Sequence, residues 1–417
     1  MEYDVLVVGG GTAGSAAAYT AAKLGMKTVL IEKNSFLGGS ITSSLVVPAM
    51  KTSKNAINTE FFDTLYKKLE DLGGAITYSD GNKGWFNPEL VKIALDDLLT
   101  SAGVEIIFEH EVDKIDKELS SYIVTIQSNN ISFRENKNLS LPIETKYIID
   151  ATGDAKICEK LKCEFLENEN KSQPINLRFI MSGVDSDKFT KWIMEYDKNR
   201  NVTTSCTIDG KVYCSTAYTW DTNVEWALKP LFTKGIEDGV ITVEDSNYFQ
   251  MFSVAGAPDS IAFNCPRLLN SNISRSEAYI LGRKSILRIS EFCKKYLKGF
   301  ENAYISSIAS SLGVRVSKRV KCKYIYTQED LKSGKKFKNP VVISNYPIDI
   351  HSDKKDGSTL ERVYQEYQLP VESLIADDRL FVVGRCISAD FDAQAALRII
   401  PSCFSMGEGV AKYIKNL

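Results

Sequence analysis

The chain has 417 residues, 44% of them apolar, 10% aromatic and 25% charged, with 26 glycines and 11 prolines. This is a globular composition with a sizeable core, and it excludes collagen, disorder and coiled coil. Fifty-one basic against 53 acidic side chains give a formal charge of -2, so no global excess of positive charge gathers phosphates and no nucleic-acid partner is expected.

At about 150 residues per domain the length points to two or three domains, or one large domain with an insertion. The nine cysteines are scattered and form no C-x-x-C pair, which supports neither a disulfide framework nor a zinc ribbon and suits a reducing compartment. Only two histidines occur, His110 and His351, so a site built on clustered imidazoles is excluded and no metal is expected. The stretch Val5 to Leu30 carries little charge, but Met1-Glu2-Tyr3-Asp4 is acidic where a secretory signal needs positive charge. Three consecutive glycines, Lys23 and Lys27 also interrupt any membrane span. The expectation is a soluble, cytoplasmic protein with no membrane partner.

Tyr3 to Val8 reads as a short buried parallel strand stopped by Gly9-Gly10-Gly11. An alanine-rich helix follows from Gly14 to Leu24, ends at Gly25, and leads into a second strand, Lys27 to Ile31, that closes on Glu32. Gly9, Gly11 and Gly14 thus satisfy G-x-G-x-x-G between a strand and a helix. Gly9 permits the tight turn, Gly11 lets a pyrophosphate approach the backbone, and Gly14 lets helix and strand pack closely. The first-turn N–H groups around Thr12 and Ala13 then point at the phosphates. Glu32 stands where a carboxylate accepts from both ribose hydroxyls and repels a 2'-phosphate, which disfavours NADP. Next come Lys33 and the pair Gly38-Gly39, followed by Ser40 and Thr42, a loop offering close backbone approach and hydroxyl donors.

Asn87-Pro88-Glu89 caps a helix whose apolar face runs from Leu90 to Leu99, and Val104 to Phe108 reads as a third parallel strand. Short alternating runs between Glu111 and Pro142 suggest an antiparallel meander. Lys146 to Asp150 is another strand, running into the small-residue turn Ala151-Thr152-Gly153. Cys158 and Cys163 fall after that turn, out of position for a dithiol facing a cofactor. From Phe165 to Tyr346 longer loops carry Trp192, Tyr213, Trp220, Trp226 and Phe249, and helices are expected at Ser274 to Tyr296 and Phe300 to Leu312. Lys332 to Lys336 reads as a solvated turn. Leu380 to Val383 is a last strand, running into Gly384-Arg385. No second strand-G-x-G-x-x-G-helix unit follows.

The Gly9–Gly14 unit, the Lys146–Asp154 strand and the Leu380–Arg385 strand together resemble the FAD-dependent oxidoreductases with a two-part Rossmann-like FAD domain, the group that includes fumarate reductase and glutathione reductase flavoproteins. Ser311 to Arg315 with Arg319, Tyr324 to Asp330, Tyr346 to His351, Gly384 to Asp390 and Arg398 resemble a bacterial subfamily of these. The resemblance implies an α/β fold with a discontinuous, GR2-type FAD-binding domain, 1–165 and 347–417, and an inserted α+β substrate or cap domain, 166–346. It implies that FAD runs from the Gly9 loop to the C-terminal segment. The backbone near Val112 would touch adenine, and Gly384 and Arg385 would lie beside ribityl and pyrophosphate. A helix from about Ser402 to Tyr413, preceded by Ile399, would aim its N-terminus at the isoalloxazine. Gly407-Glu408-Gly409 departs from the small residues usual there, and Glu408 would oppose an anionic flavin unless turned away.

The expected activity is hydride or electron transfer between a small-molecule substrate and the flavin, with NAD(P)H or a protein as possible electron donor. The alternatives are a redox-neutral flavin enzyme (hydratase or isomerase), an FAD-dependent RNA- or cofactor-modifying enzyme, and an NAD-binding module without enzyme activity. The catalytic candidates are His351 as proton carrier and Arg315, Arg319 and Arg398 as bidentate anion clamps. The alternative for each is structural: a loop-ordering pair for Asp349 and His351, ion-pair partners for the arginines. Substrate, oligomeric state and any covalent flavin link are left open by the residues.

Overall fold

The computed structural model describes residues 1–78, 81–128, 142–167, 171–218, 226–268, 273–351 and 358–417; Trp220 lies outside them. Its N-terminal unit is the expected β-α-β: strand Glu2–Val8, helix Thr12–Lys23, strand Thr28–Glu32. Along the first strand Val5 and Val7 enter one core while Leu6 and Val8 enter another, the period-two alternation of a strand covered on both faces.

Around it the sheet runs Ile375–Asp377, Leu380–Val382, Ile143–Asp150, Glu2–Val8, Thr28–Glu32, Glu105–Phe108. The pairings of Glu2–Val8 with its two neighbours, of Thr28–Glu32 with Glu105–Phe108 and of Leu380–Val382 with Ile143–Asp150 are parallel. The expected meander, His110–Lys117 and Tyr122–Ser128, returns antiparallel onto Ile143–Asp150. Two ends of the chain therefore meet in one Rossmann-like sheet, the α/β fold expected.

The last helix, Ile400–Lys415, lies against the first helix, and the three residues that looked anomalous explain the packing. A Cβ on Gly407 would come within 2.0 Å of the Ala13 carbonyl oxygen, and one on Gly409 within 2.7 Å of Val341 Cβ. Between them Glu408 is buried and turned away from the sheet. It accepts from the Phe61 backbone N–H at 2.9 Å, in the first turn of helix Glu60–Asp71, and from Lys412 Nζ at 2.8 Å. A carboxylate on a helix N-terminus is a favourable placement, so Glu408 is a packing cap and not a flavin neighbour.

The second sheet is antiparallel, in the order Thr203–Ile208, Lys211–Tyr218, Phe249–Val254, Ala257–Phe263, Phe179–Ser182, Tyr304–Ile308. Here the structure departs from expectation. Tyr213 and Phe249 sit on strands, not loops, and 300–312 contains the edge strand Tyr304–Ile308 instead of a helix. Its Tyr-Ile-Ser-Ser-Ile pattern alternates exposed and half-buried side chains, as one-faced edge strands do. The helix Arg275–Tyr296, with a Ser274/Glu277 capping box, backs this sheet through Phe292, whose ring lies 4.3 Å from Phe232, which in turn lies 5.0 Å from Phe249. The lysine-rich 332–336 segment closes a short helix, Gln328–Ser333, at left-handed Gly334, and Lys335 pairs with Asp330 at 2.9 Å.

Two segments tie the sheets together. The Ser311 N–H donates to the Ser43 carbonyl at 2.9 Å, and the Gly313 N–H to the Asn176 carbonyl at 2.8 Å. Replacing Gly407 by Ala drives a methyl group into the first helix, and a loss of about 1–3 kcal/mol is expected, as for other overpacked contacts. The check is the midpoint of chemical denaturation; an unchanged midpoint would contradict the close helix contact.

Candidate active site

Gly9 has φ +102°, and a Cβ there would meet the Ala151 carbonyl oxygen at 2.5 Å, while one on Gly14 would meet the Gly9 carbonyl oxygen at 1.9 Å. The loop therefore lies directly on the Ala151-Thr152-Gly153 turn. Gly11 is different: a Cβ there would find only Gly39 Cα, at 3.8 Å, so space opens over its backbone, and as N-cap of the first helix it supplies no side-chain cap. This is the cradle a pyrophosphate needs.

Glu32 is buried. One of its carboxylate oxygens accepts from the Gly10 N–H at 2.7 Å, the other from the Asn34 N–H at 2.9 Å and side chain at 2.6 Å. Burial raises its pKa above the usual carboxylate range, against these hydrogen bonds. Asp150, which the sequence reading did not single out, organises the opposite turn: it accepts from Thr152 N–H and Oγ1 at 3.1 and 2.7 Å and from the Ile157 and Cys158 N–H groups at 2.9 and 3.0 Å. Asp154 pairs with Arg385 at 2.6 Å. Burial alone would raise the Asp154 carboxyl, but the guanidinium holds it below its ordinary range.

A cavity of about 690 Å³ begins here. Of the expected cofactor residues, Gly9, Gly11, Thr12, Ala13, Glu32, Lys33, Gly39, Ser40, Val112, Ala151, Thr152, Gly153, Gly384, Arg385 and Ile399 line it. Gly14, Gly38, Thr42 and Ser402 do not. Gly14 serves the strand contact; Gly38, at φ +100°, makes the turn into Gly39–Ile41; Thr42 Oγ1 donates to the Leu37 carbonyl at 2.7 Å. Ser402 is buried in the first turn of the last helix, its hydroxyl without a partner among the described residues.

The same cavity continues to Arg315, Asp349, His351 and Arg398. His351 is buried with Nε2 3.3 Å from Asp349 Oδ1, and its ring meets Tyr248 edge-on at 5.5 Å. Arg398 donates to the Asp349 carbonyl at 2.9 Å and lies 3.4 Å from its carboxylate. Burial, and then the charge of Arg315, push the His351 pKa down to about 3. Burial opposes ionisation of Asp349, yet His351, Arg398 and Arg315 hold its carboxyl below the usual range. Asp349 is therefore an ionised acceptor, the hydrogen on the facing ring nitrogen belongs to Nε2, and Nδ1 is the ring's acceptor. The ordinary near-neutral titration on which His351 was selected does not hold in this setting.

Arg319 is not brought to the site. It is buried outside the cavity lining and donates to the Ala389 and Glu167 carbonyls at 2.9 and 2.8 Å, fixing backbone instead of facing a ligand. Cys158 and Cys163 also lie outside the lining, and all nine thiols are free. What the sequence reading missed is the wall contributed by the second sheet: Arg178, Tyr248, Gln250 and Asn264 line the cavity. Arg178 interrupts the apolar run Ile175 to Met181, and Asn264 follows Ile261-Ala262-Phe263; polar residues inside buried runs were the available signal.

Among the described residues no group of three or more His, Cys, Asp and Glu is arranged to hold a metal ion, and no helix is long and apolar enough to cross a membrane. The residues around Gly11 and Glu32 fit a dinucleotide. Comparison with known proteins agrees. The chain is 26% identical over 181 residues to the mitochondrial dihydrolipoyl dehydrogenase of Schizosaccharomyces pombe, covering 38% of this chain and 34% of that protein. It is 29% identical over 158 residues to the thiamine thiazole synthase of Pyrococcus horikoshii, covering 37% and 58%. The matches thus span between a third and three fifths of these relatives' lengths. Among solved structures a flavin-dependent brominase superposes with a TM-score of 0.50 at 12% identity, over 100% of this chain and 79% of that one, a likeness of fold. The profile of the family described as FAD dependent oxidoreductase matches residues 4–415, and the chain belongs to that family of FAD enzymes.

Proposed function

We propose that the protein transfers a hydride or electron pair between a small molecule held in the inner part of the cavity and a bound FAD. The observation that supports this is the continuity of one cavity from Gly9, Gly11 and Glu32 to Arg315, Asp349 and His351. FAD, when bound, supplies the electron-accepting and electron-donating chemistry. In this reading Gly9, Gly11, Thr12 and Ala13 hold the pyrophosphate, Glu32 the ribose, and Val112 the adenine end. Gly39, Ser40, Gly384 and Arg385 lie along the chain between the rings, and Ile399 leads the helix N-terminus that meets the isoalloxazine. His351, oriented by Asp349, presents a neutral imidazole that positions the substrate by hydrogen bonding. NAD(P)H or a protein returns the electrons.

The division into an FAD unit, 1–165 with 347–417, and an inserted cap, 166–346, is part of the proposal. The second core supports it by gathering mainly residues from Ile175 to Leu312, joined by Leu45, Val47, Ile76 and Trp85 of the first segment. Tyr326, Leu331 and Val341 pack in the first core, which favours an insertion ending near Val314.

Replacing Gly11 by Ala adds a methyl into open space and is expected to cost less than about 1 kcal/mol of fold stability while lowering FAD affinity at least about tenfold by obstructing the phosphate approach. Flavin content after gel filtration and apoprotein denaturation read the two effects; normal FAD binding by the variant would place the pyrophosphate elsewhere. Anaerobic mixing of the flavin-loaded protein with a metabolite panel, NADH and NADPH included, tests the reaction. Bleaching of the oxidised flavin band with formation of an oxidised product is expected, and turnover of a substrate without flavin reduction or any electron acceptor would replace this reading by a redox-neutral one. Because the chain has two histidines, imidazole proton NMR is simple. The His351 resonance is expected to stay at its neutral position from about pH 8 down to about pH 5, and a midpoint near the ordinary histidine value would contradict the assigned environment.

A further inference from the structure

The pair of Asp349 and His351 does not account for the opposite wall. Arg178 precedes strand Phe179–Ser182, and its Nε donates to Asn264 Oδ1 at 2.8 Å. No ion pair involves it among the described residues, no hydrogen bond there takes up its two terminal nitrogens, and the residue lines the cavity. Arg315 donates from Nη1 to the Pro174 carbonyl at 2.7 Å and likewise has no carboxylate partner among the described residues. Burial and the neighbouring Arg315 push the Arg178 pKa down to about 9, and burial and Arg398 push that of Arg315 down to about 10. Two half-buried guanidiniums thus lie close enough to repel each other and Arg398, with Asp349 as the acid that favours the charge of Arg315.

The neutral groups beside them point the same way. The Asn264 amide donates to Tyr248 Oη at 3.2 Å and to Gln250 Oε1 at 2.9 Å. Both acceptor atoms are therefore engaged, which leaves the Tyr248 hydroxyl hydrogen and the Gln250 amide hydrogens as the groups available to a ligand. Burial raises the Tyr248 phenol to about 12, so it stays a donor near neutral pH. Over the whole lining, cationic side chains outnumber acidic ones eight to four, although the chain as a whole is slightly acidic. Of the acids, Glu32 is engaged by backbone, Asp154 by Arg385 and Asp349 by Arg398 and His351.

We propose that this wall binds a carboxylate of the substrate, with the Arg178 fork as its bidentate partner, Arg315 as the second cation, Tyr248 and Gln250 as flanking donors, and Asn264 as the positioning residue. The inference rests on the proposed small-molecule redox reaction, whose substrate it narrows to organic acids. A planar two-oxygen acceptor matches the planar fork, and a ligand that brings only acceptors satisfies a wall that offers only donors. Partial withdrawal of these guanidiniums from water favours a bound anion.

The test uses the flavin-loaded protein at constant ionic strength, titrated with propionate and succinate, with their amides, and with inorganic phosphate. Saturable perturbation of the flavin spectrum and a rise in melting temperature are expected with the acids and not with the amides. Arg178→Gln is expected to weaken acid binding at least about tenfold with flavin content unchanged, and Arg178→Lys to restore only part of it. Absence of saturable acid binding, equal binding of amides, tighter binding of phosphate than of any carboxylate, or undiminished binding by Arg178→Gln would each overturn the proposal. Should Arg178→Gln fail to fold, Arg315→Gln and the acid-against-amide comparison on the native protein decide. A preparation that cycles its flavin with a neutral metabolite yet binds no acid refutes this inference alone. A preparation that never reduces its flavin, yet is stabilised by acids through Arg178, refutes only the redox reading.

Discussion

The contact on which the molecule depends is the approach of three backbones around Ala13 and Gly14. From one side the Gly9 carbonyl comes so near that a Cβ on Gly14 would sit 1.9 Å from it; from the other, Gly407 leaves 2.0 Å between its own missing Cβ and the Ala13 carbonyl. The first contact sets the first helix on the central strand, and the second sets the last helix on the first. Together they bring residues nearly four hundred positions apart in sequence to one cavity rim, where Gly11 and Ile399 both stand. Two helix N-termini converging on one cavity create a region of positive potential without any charged side chain. Glu408 belongs to the same arrangement, since its cap on helix Glu60–Asp71 fixes the face that Gly407 and Gly409 present to either side.

Deeper in, burial and the arginine side chains set the protonation states. In water His351 would titrate near neutrality, but with burial and Arg315 pressing against its charge it remains neutral. The same cations stabilise the ionised form of Asp349, which burial would otherwise suppress. The same surroundings therefore lower the pKa of an acid and of a base 3.3 Å apart, which leaves the acid charged and the imidazole neutral. Gln394 links this region to the cofactor end, donating to the Arg315 and Arg385 carbonyls, both at 3.1 Å.

The FAD half of the fold was legible because its signals are local. Gly9, Gly11 and Gly14 act within one turn, Glu32 ends the next strand, and alternation along Glu2–Val8 reports two covered faces. The second sheet was much less so, because its pairings are antiparallel between distant segments: Tyr304–Ile308 joins Phe179–Ser182, and nothing within 300–312 announces a partner more than a hundred residues earlier. Apolar density there was read as helix when it marked a strand edge. The site divided along the same line. Arg315, Arg398 and His351 were found from residue type, and Arg319 was selected on the same basis although its hydrogens go to backbone carbonyls. Arg178 and Asn264 went unnoticed because their meaning lies in hydrogen bonds across strands, which spacing along one segment does not encode.

The placement of Arg178 beside the second core, half-buried at the cavity wall, runs against stability. A guanidinium partly withdrawn from water without an acid partner carries a desolvation cost, and it stands next to Phe179, whose buried ring stacks on Phe263 at 4.4 Å. The surrounding aromatic core tolerates the cost: burying one large apolar side chain contributes about 1.5–3 kcal/mol, and Trp226, Phe232, Phe249, Phe263, Phe292 and Phe300 are all buried in it. The rigid layer behind the sheet thus holds a charge that stability alone would remove, and it holds it at a fixed orientation through Asn264. A flexible surface cation would attract an anion equally well but would not aim it. Orientation is what the proposed hydride transfer demands of a binding wall, because the reacting carbon has to face the flavin at van der Waals distance before any electron pair moves.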